Sequence, residues 1–371
     1  MHQPGYRTAQ FPIDRIRQIA DHFFEGTQTG VFMPTLAETG FSGSTTCIFT
    51  HQDTEHKYVL KQLPHHLSME QILWTQGLAT FTRNHGFSLL PVAVPHHRIN
   101  GWVSAATPKI AVHTDGTLWQ CLKFIDGKPC KKPHSTHTII GAEALATFHK
   151  VASGFQKPRW RSLCGWRRRR KQLCSMLASR PCPPDKNTFD TSLPSELFAL
   201  YTQFIQLVYA PETIVIIRNA LKQKMTAAHQ PALKDCWWPH LLFSNSDNRV
   251  TGIIDIDAAG WDDPAVDMAR LLGSWQLENP KSHGNLIDIW PGAFQKYREI
   301  MDPGVDFPFR VQILHDTSII CGMDRWFSWI FREKREFPNM SLVLQRITTL
   351  LHAVPAALRR LEHSQTLTNR N

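Results

Sequence analysis

The sequence has 371 residues, a formal net charge of +10 at pH 7, 42% hydrophobic residues and 19% charged residues. This length supports two domains or one large two-lobed domain, and the composition excludes a disordered or fibrous chain. The positive charge favours anionic partners such as nucleotides, phosphorylated metabolites, nucleic acid or acidic membranes, without choosing among them.

The eight cysteines are spread along the chain without a C-x-x-C pair. This spacing argues against a zinc ribbon or a disulfide scaffold and favours free thiols in a reducing compartment. The N-terminal residues lack the apolar segment of a signal peptide, and the sequence has no apolar run of about 18 residues. The sequence therefore predicts a cytoplasmic protein without a membrane span.

The first third of the chain is predicted to be rich in strands. Helical spacing of apolar residues predicts a helix over residues 12–25, and a small-residue loop then leads into a strand that ends near residue 50. KYVLKQLP, residues 57–64, predicts the next strand. Residues 68–84 predict an amphipathic helix with Ser68 as its N-cap. Further short strands are predicted at HGFSLLPVAVP, GWVSAATPKI and TLWQCLKFI.

Beyond DGKP, at residues 126–129, helical periodicity dominates. TIIGAEALATFHKVA predicts a helix, and strand-like segments recur only around RVTGIIDI. The predicted fold class is therefore α+β, with a small β-rich N-lobe over residues 1–123 and a larger, mainly helical C-lobe over residues 124–371. A basic and proline-rich surface segment is predicted at about residues 157–194.

The stretch from KDCWWPHLLF to GIIDID has the order of a phosphotransferase catalytic segment. Phosphoryl transfer needs a carboxylate that accepts the hydroxyl proton, oxygen ligands for magnesium, and backbone N–H groups with a lysine around the phosphates. In kinases the catalytic aspartate precedes a metal-binding asparagine by five positions, and a second aspartate carries magnesium. Here Asp235 is followed five positions later by His240, and Asp255 ends the next apolar strand.

This order resembles the aminoglycoside phosphotransferase family, a branch of the protein-kinase-like fold that phosphorylates small molecules. The matching parts are Asp235, the LLF strand, the GIID strand that ends at Asp255, and the D-P-x-x-D-M-A run that follows. The ALATFHK helix, the GFSGS loop and Lys61 in YVLKQLP also resemble family elements. The chain resembles a divergent member with an altered catalytic loop.

The resemblance implies an ATP- or GTP-dependent kinase that phosphorylates a hydroxyl of a small molecule and uses Mg²⁺ or Mn²⁺. Asp235 would be the catalytic base, Asp255 the principal metal ligand, and His240 would stand at the second metal-ligand position. Lys61, paired with Glu70, would contact the nucleotide phosphates. The loop that covers the phosphates would consist of Gly40, Phe41, Ser42, Gly43 and Ser44.

Three side chains leave alternatives open. Imidazole suits zinc, copper, iron or nickel better than magnesium, so His240 contacts a metal, hydrogen-bonds a phosphate, or only caps the loop. Asp257 is the close alternative to Asp255 and otherwise a helix or turn cap. Asp267 is expected to support the catalytic loop rather than to act in catalysis.

Two rival functions also stay open. The altered loop is compatible with a catalytically impaired, pseudokinase-like protein that binds nucleotide or regulates a partner, whereas the two kept aspartates favour catalysis. The basic residues 159–171 are compatible with nucleic-acid binding, although a solvated helix face is the simpler interpretation. The expected partners are therefore a nucleotide and a small-molecule acceptor, whose identity the sequence does not define.

Overall fold

The computed structural model describes residues 13–24, 35–36, 45–51, 55–95, 111–112, 116–160, 163–179, 193–223, 225, 228–279, 284–337 and 339–368. The chain divides into two compact units. The first comprises Met1–Lys128, Pro158–Trp160 and Leu242–Asp257, and the second Pro129–Lys157, Arg161–Leu241 and Ala258–Asn371. The predicted division into lobes at residues 123 and 124 stays a prediction, and the predicted phosphate loop, residues 40–44, lies outside the described residues.

Ten strands occur in the described part of the chain. They are β1 (Thr35–Leu36), β2 (Thr46–Thr50), β3 (Lys57–Gln62), β4 (Ala111–Val112), β5 (Leu118–Lys123), β6 (Lys128–Pro129), β7 (Gln230–Ala232), β8 (Leu241–Phe243), β9 (Val250–Ile253) and β10 (Gly260–Asp262). The largest sheet has the order β1-β2-β3-β5-β4, and β7 pairs with β10. Neighbouring strands in both sheets are antiparallel.

Two helices of the described residues belong to the first unit and nine to the second. They are α1 (Ile13–Ala20), α2 (Met69–Asn84), α3 (Ser135–Ala152), α4 (Gly165–Ser179), α5 (Ser195–Val208), α6 (Pro211–Lys222), α7 (Ala265–Glu278), α8 (Leu286–Ile289), α9 (Pro291–Ile300), α10 (Phe307–Phe327) and α11 (Met340–Thr368). The predicted mixture of a sheet-containing part and a larger helical part is confirmed.

The first unit packs its large sheet against α1. Alternate residues of β3 and β5, such as Leu60, Trp119 and Cys121, are at most 1% exposed and share a core with Ile16 and Ile19 of α1. Because side chains alternate along a strand, the intervening residues face the opposite side of the sheet. This alternation sets the direction of Lys61.

The prediction of α2 is confirmed, including its N-cap. The Ser68 hydroxyl accepts from the Gln71 N–H at 3.2 Å, and the Gln71 side chain accepts from the Ser68 N–H at 2.9 Å. A glutamine therefore completes the capping box in place of an acid.

The predicted strand HGFSLLPVAVP is wrong. Its residues form only an isolated bridge between Ala93 and Leu122, with flanking backbone hydrogen bonds to β5. Pro91 and Pro95 bound this short pairing, because proline has no N–H to donate to a sheet.

The second unit has a helical core to which α4, α5, α6, α10 and α11 contribute. Among the described residues, the stretch Met340–Ser364 of α11 is long and apolar enough to cross a membrane, with a mean hydropathy of 1.2 and 44% of that window buried. The bent pair α5 and α6 passes the same test only as one span. Three residues of this stretch are at most 1% exposed inside the core, namely Val343, Ile347 and Leu351. A helix in the core of a protein can be equally long and apolar.

A close contact between α7 and α10 depends on a glycine. A Cβ added at Gly273 would overlap the imidazole of His315. The His315 Nε2 atom lies 2.7 Å from the Gln276 side-chain oxygen, to which it donates its proton. Burial, and to a smaller degree the charge of Arg360, lowers the pKa of His315 to about 3, so the ring is neutral.

We expect Gly273→Ala to lower the free energy of unfolding by about 1–3 kcal/mol, because a buried ring has no space for the added methyl group. The matched control is Gly322→Ala on α10, where the added Cβ meets only Leu350 at an ordinary distance of 3.6 Å. We expect this control to stabilise the protein by roughly 0.5–1 kcal/mol. Urea unfolding of both variants checks the prediction, and equal effects of the two substitutions would contradict it.

A second prediction concerns the loss of folding stability at acidic pH. The folded-state pKa of His315, about 3, lies below its ordinary value of 6.5, so the unfolded chain binds the proton more tightly. The stability that the neutral ring contributes is present above pH 6.5 and is lost as the pH falls toward 3. Between pH 7 and pH 5 this loss is about 2 kcal/mol.

The measurement is urea unfolding of the wild type and of His315→Gln at both pH values. We expect the wild type to lose about 2 kcal/mol more than the variant on acidification. Burial raises the pKa of Asp316 to about 6, which gives the opposite pH dependence, but this group is common to both proteins. Equal pH dependence in the two proteins would rule out a neutral buried ring.

Candidate active site

Lys61 forms an ion-pair cluster with two aspartates inside the first unit. Its Nζ atom lies 2.5 Å from Oδ1 of Asp255 and 2.7 Å from Oδ2 of Asp257. Burial alone lowers the pKa of Lys61, but the charges of Asp257 and Asp255 outweigh this effect, so its pKa is raised. A charged ammonium group therefore stands between two carboxylates.

The backbone at the end of β9 brings both aspartates to the lysine. Asp255 has a φ of +59°, a left-handed conformation that aspartate adopts more readily than most residues. The Asp255 side chain is 40% exposed, whereas that of Asp257 is 14% exposed. Asp255 is consequently the more accessible carboxylate, and Asp257 is the more enclosed one. From the sequence, Asp257 was expected only as the alternative to Asp255 in the metal-binding role, or otherwise as a helix or turn cap.

A cavity of about 140 Å³ adjoins this cluster in the first unit. Residues of α2, the large sheet and the segment 91–93 line it, with Lys61 and Asp255 among them; the apolar and small residues of the wall include Leu63, Ile72, Ala79, Val92 and Leu122. A largely apolar space beside charged groups suits a ligand that has an apolar ring and an anionic part.

The structure does not bring Glu70 to Lys61. Glu70 is exposed in the first turn of α2, where a carboxylate interacts favourably with the helix dipole. Among the described residues, the ion pairs of Lys61 run to Asp255 and Asp257. The expected Lys61–Glu70 pair is thus replaced by a pair with the aspartates that follow β9.

The predicted catalytic loop belongs to the second unit, where Asp267 of α7 holds its backbone. The carboxylate of Asp267 accepts the N–H of Leu233 at 2.7 Å and that of Lys234 at 2.6 Å. It also accepts from Nε2 of His149 at 2.9 Å, and the other ring nitrogen of His149 lies 2.7 Å from the hydroxyl of Tyr297. The expectation that Asp267 supports the loop is confirmed.

Asp235 presents its carboxylate beside an arginine that the sequence did not single out. The Nε and Nη2 atoms of Arg270 lie 2.9 Å and 2.8 Å from Oδ1 of Asp235. The Asp235 side chain is 40% exposed. Arg270 follows Asp267 by three positions and therefore lies on the same helix face. The three-residue spacing from Asp267 was the sequence signal that could have identified Arg270, since it places both side chains against the loop.

His240 uses both ring nitrogens within the loop. The indole N–H of Trp237 donates to Nε2 at 3.0 Å, and Nδ1 lies 2.8 Å from the backbone oxygen of Asp235. Because an indole N–H only donates and a carbonyl only accepts, the ring is the neutral tautomer with its proton on Nδ1. Both ring nitrogens are thus engaged within the loop, which fits the loop-capping alternative for His240; its metal position stays a prediction.

These features together define a kinase-like α+β fold, with a lysine–aspartate cluster in a small sheet-containing unit and an exposed aspartate in a larger helical unit. The sequence matches the model of a phosphotransferase enzyme family, APH, over residues 39–284. The chain belongs to this family. No curated protein matches the chain.

Three solved structures with this fold are similar over nearly the whole chain. They are an aminoglycoside phosphotransferase from Alicyclobacillus acidocaldarius (TM-score 0.56, 14% identity, 94% of this chain and 96% of that chain), an amicoumacin kinase in complex with AMP-PNP, Ca²⁺ and Ami (0.59, 13%, 91% and 92%), and a microcompartment-associated aminopropanol kinase (0.60, 12%, 95% and 99%). At such identities the likeness shows the fold alone.

The geometry of His240 generates a prediction. His240→Ala removes two internal hydrogen bonds and should lower the free energy of unfolding by about 1–2 kcal/mol. We expect binding of Mn²⁺ in the presence of nucleotide not to change, because both ring nitrogens are hydrogen-bonded within the loop. His240→Asn, which keeps a donor near the Nδ1 position, should recover part of the stability. Urea unfolding and calorimetric Mn²⁺ titration check both points; unchanged stability with tenfold weaker Mn²⁺ binding would instead identify His240 as a ligand.

Proposed function

We propose that this protein is an ATP- or GTP-dependent kinase that phosphorylates a hydroxyl group of a small molecule. The observation that carries the proposal is the ion pair of Lys61 with Asp255, two residues 194 positions apart. Membership of the phosphotransferase family supports the reaction class. The similar kinase structure with AMP-PNP and Ca²⁺ supports the use of a nucleotide and a divalent cation.

In this proposal, Lys61 contacts the nucleotide phosphates and Asp255 is the principal ligand of Mg²⁺ or Mn²⁺. Carboxylate oxygens are suitable donors for either ion, and Mg²⁺ is often held by one or two carboxylates together with phosphates and water. The described residues contain no group of three or more metal-binding side chains, which fits that mode of binding. The metal would neutralise charge that develops on the phosphates, while Gly40 to Ser44 would cover them.

Asp235 is the proposed base. Arg270 holds Oδ1 in place, so Oδ2 is the atom that accepts the proton of the acceptor hydroxyl. The deprotonating oxygen attacks the terminal phosphorus of the nucleotide, and the nucleoside diphosphate leaves with the electrons of the broken P–O bond. The backbone of the loop is fixed by Asp267, which keeps Asp235 oriented for this transfer.

A pseudokinase-like nucleotide-binding protein is the second candidate. It is favoured by the engagement of Asp235 with Arg270 and by the involvement of both His240 nitrogens in the loop. Such a protein would bind nucleotide through the first unit without turnover. The two candidates therefore share a binding step and differ in catalysis.

We expect ATP or GTP with Mg²⁺ or Mn²⁺ to raise the Tm of the wild type and Asp255→Ala to remove the metal-dependent part of that shift. The matched control is Asp247→Ala, which removes an exposed aspartate in the turn between β8 and β9 of the same unit and should leave the shift intact. Failure of all nucleotide and metal combinations to raise the Tm would exclude both candidates.

Turnover separates the candidates. Release of nucleoside diphosphate should be measured across hydroxyl compounds for the wild type and for Asp235→Asn. We expect the variant to keep nucleotide binding and to lose about 10²-fold or more in kcat, because it lacks the proton acceptor. Nucleotide binding without turnover on any acceptor would favour the pseudokinase-like protein, and unchanged turnover in Asp235→Asn would exclude Asp235 as the base.

A further inference from the structure

Arginines from two other helices of the second unit lie near Arg270, which itself contacts Asp235. The guanidinium carbons of Arg270 and Arg346, on α7 and α11, lie 5.3 Å and 5.7 Å from the centre of the same Trp237 ring. Burial first, and then the charge of Arg270, lower the pKa of Arg346 to about 10, while the charge of Glu278 opposes the shift. Arg169, on the basic helix α4, also has a lowered pKa, through burial first and then through neighbours that include Arg270.

Lys131 adds a fourth positive charge. Its Nζ atom lies 3.3 Å from the carboxylate of Glu278, and the same carboxylate lies 3.8 Å from Arg346. The four side chains Arg169, Arg270, Arg346 and Lys131 are called the cationic cluster below.

Carboxylates are fewer than cations in this region. Among the described side chains, the cationic cluster is paired with Glu278 and Asp235, and Asp267, three residues before Arg270, is a third nearby carboxylate. The four cations therefore exceed these three carboxylates by one charge. The other groups that face Arg169 are the Cys321 thiol, whose pKa burial raises, and the further cation Arg168.

Arginines do not relieve this repulsion by losing a proton, because the guanidinium stays charged at any physiological pH. The face of Trp237 stabilises two of the charges through cation–π contacts, but it supplies no negative charge. A cationic acceptor would meet net repulsion at Asp235, whereas an anionic acceptor would supply the missing counter-charge.

We infer that the acceptor is a hydroxyl compound carrying a carboxylate or phosphate group, which Arg270 and Arg346 bind beside Asp235. The inference rests on the proposed kinase function. Arg270 contacts Oδ1 of Asp235 through Nε and Nη2. In this inference Nη1 donates to the oxyanion of the acceptor, and Oδ2 of Asp235 receives the hydroxyl. The anionic group and the phosphorylated hydroxyl therefore lie only a few bonds apart on the acceptor.

The test compares acceptors that share a skeleton and differ in charge. One series is glycerol, glycerate, glycerol phosphate and 3-amino-1,2-propanediol, and the other is glucose, gluconate, glucose 6-phosphate and glucosamine. Release of nucleoside diphosphate is measured for each compound. We expect kcat/KM to be at least about tenfold higher for the anionic members than for the neutral and cationic ones. Comparison of the carboxylic acids with the phosphates then identifies which of the two anionic groups is preferred. Preference for the neutral or the cationic members overturns the inference.

The variant Arg346→Gln tests the cluster itself. We expect its KM for the anionic acceptor to rise about ten- to hundredfold, with the KM for nucleotide unchanged and partial rescue by Arg346→Lys. The matched control is Arg335→Gln, since Arg335 also lies over an indole ring, Trp329 at 4.7 Å, and also pairs with a glutamate, Glu333 at 2.9 Å. An unchanged acceptor KM in Arg346→Gln overturns the inference.

If no compound of either series is phosphorylated, the inference is tested by measuring anion binding through the shift in Tm. We then expect the Tm of the wild type, and not that of Arg346→Gln, to be raised by the anionic compounds, which are glycerate, gluconate, glycerol phosphate and glucose 6-phosphate. No stabilisation by any of these anions overturns the inference. Because the nucleotide-dependent shift in Tm is read separately through Asp255→Ala, a failed kinase proposal is distinguished from a failed assignment of acceptor charge.

Discussion

The buried carboxylate of Asp267 is the contact on which the catalytic loop depends. It holds two consecutive backbone N–H groups of the loop together with the imidazole of His149. The same face of α7 carries Arg270, which engages Asp235, and Ser274, whose hydroxyl accepts the N–H of Trp238 at 3.0 Å. These positions are spaced by three and four residues, as one side of a helix requires.

One helix thus determines both the path of the loop and the direction of its reactive side chain. Hydrogen bonds from backbone amides to a buried carboxylate are stronger than neutral ones, and an unmatched carboxylate in this place would be costly. The loop therefore tolerates unusual residues between its anchored positions. Cys236, Trp237 and Trp238 lie in the altered part of the loop, while the backbone amides of Leu233 and Lys234 keep their anchors.

Elements with a strong period or a fixed motif could be predicted from the sequence. The N-cap at Ser68 and the helix that follows it are predicted by local rules of capping and periodicity. The order of Asp235, Asp255 and Asp267 was predicted from its resemblance to a family motif. These signals depend on residues close together in the chain, and the structure has the helix and the loop anchor where they were predicted.

Partner choices over long distances could not be predicted in this way. Lys61 pairs with Asp255 and Asp257 rather than Glu70, because the direction of a strand side chain and the turn after β9 decide which acid reaches it. The role of His240 depends on an indole N–H three residues away, which converts a possible ligand into an internal acceptor. Arg270 became visible only when its helix face was known to meet the loop.

The two ionic groupings carry residual charge of opposite sign. In the first unit, one ammonium group stands against two carboxylates, which leaves a net negative charge at Lys61. In the second unit, the cations around Asp235 outnumber the carboxylates. The first grouping therefore attracts a divalent metal, and the second attracts an organic anion. The anionic phosphates of a nucleotide would therefore reach Lys61 most favourably together with a divalent metal that offsets the charge of the two aspartates.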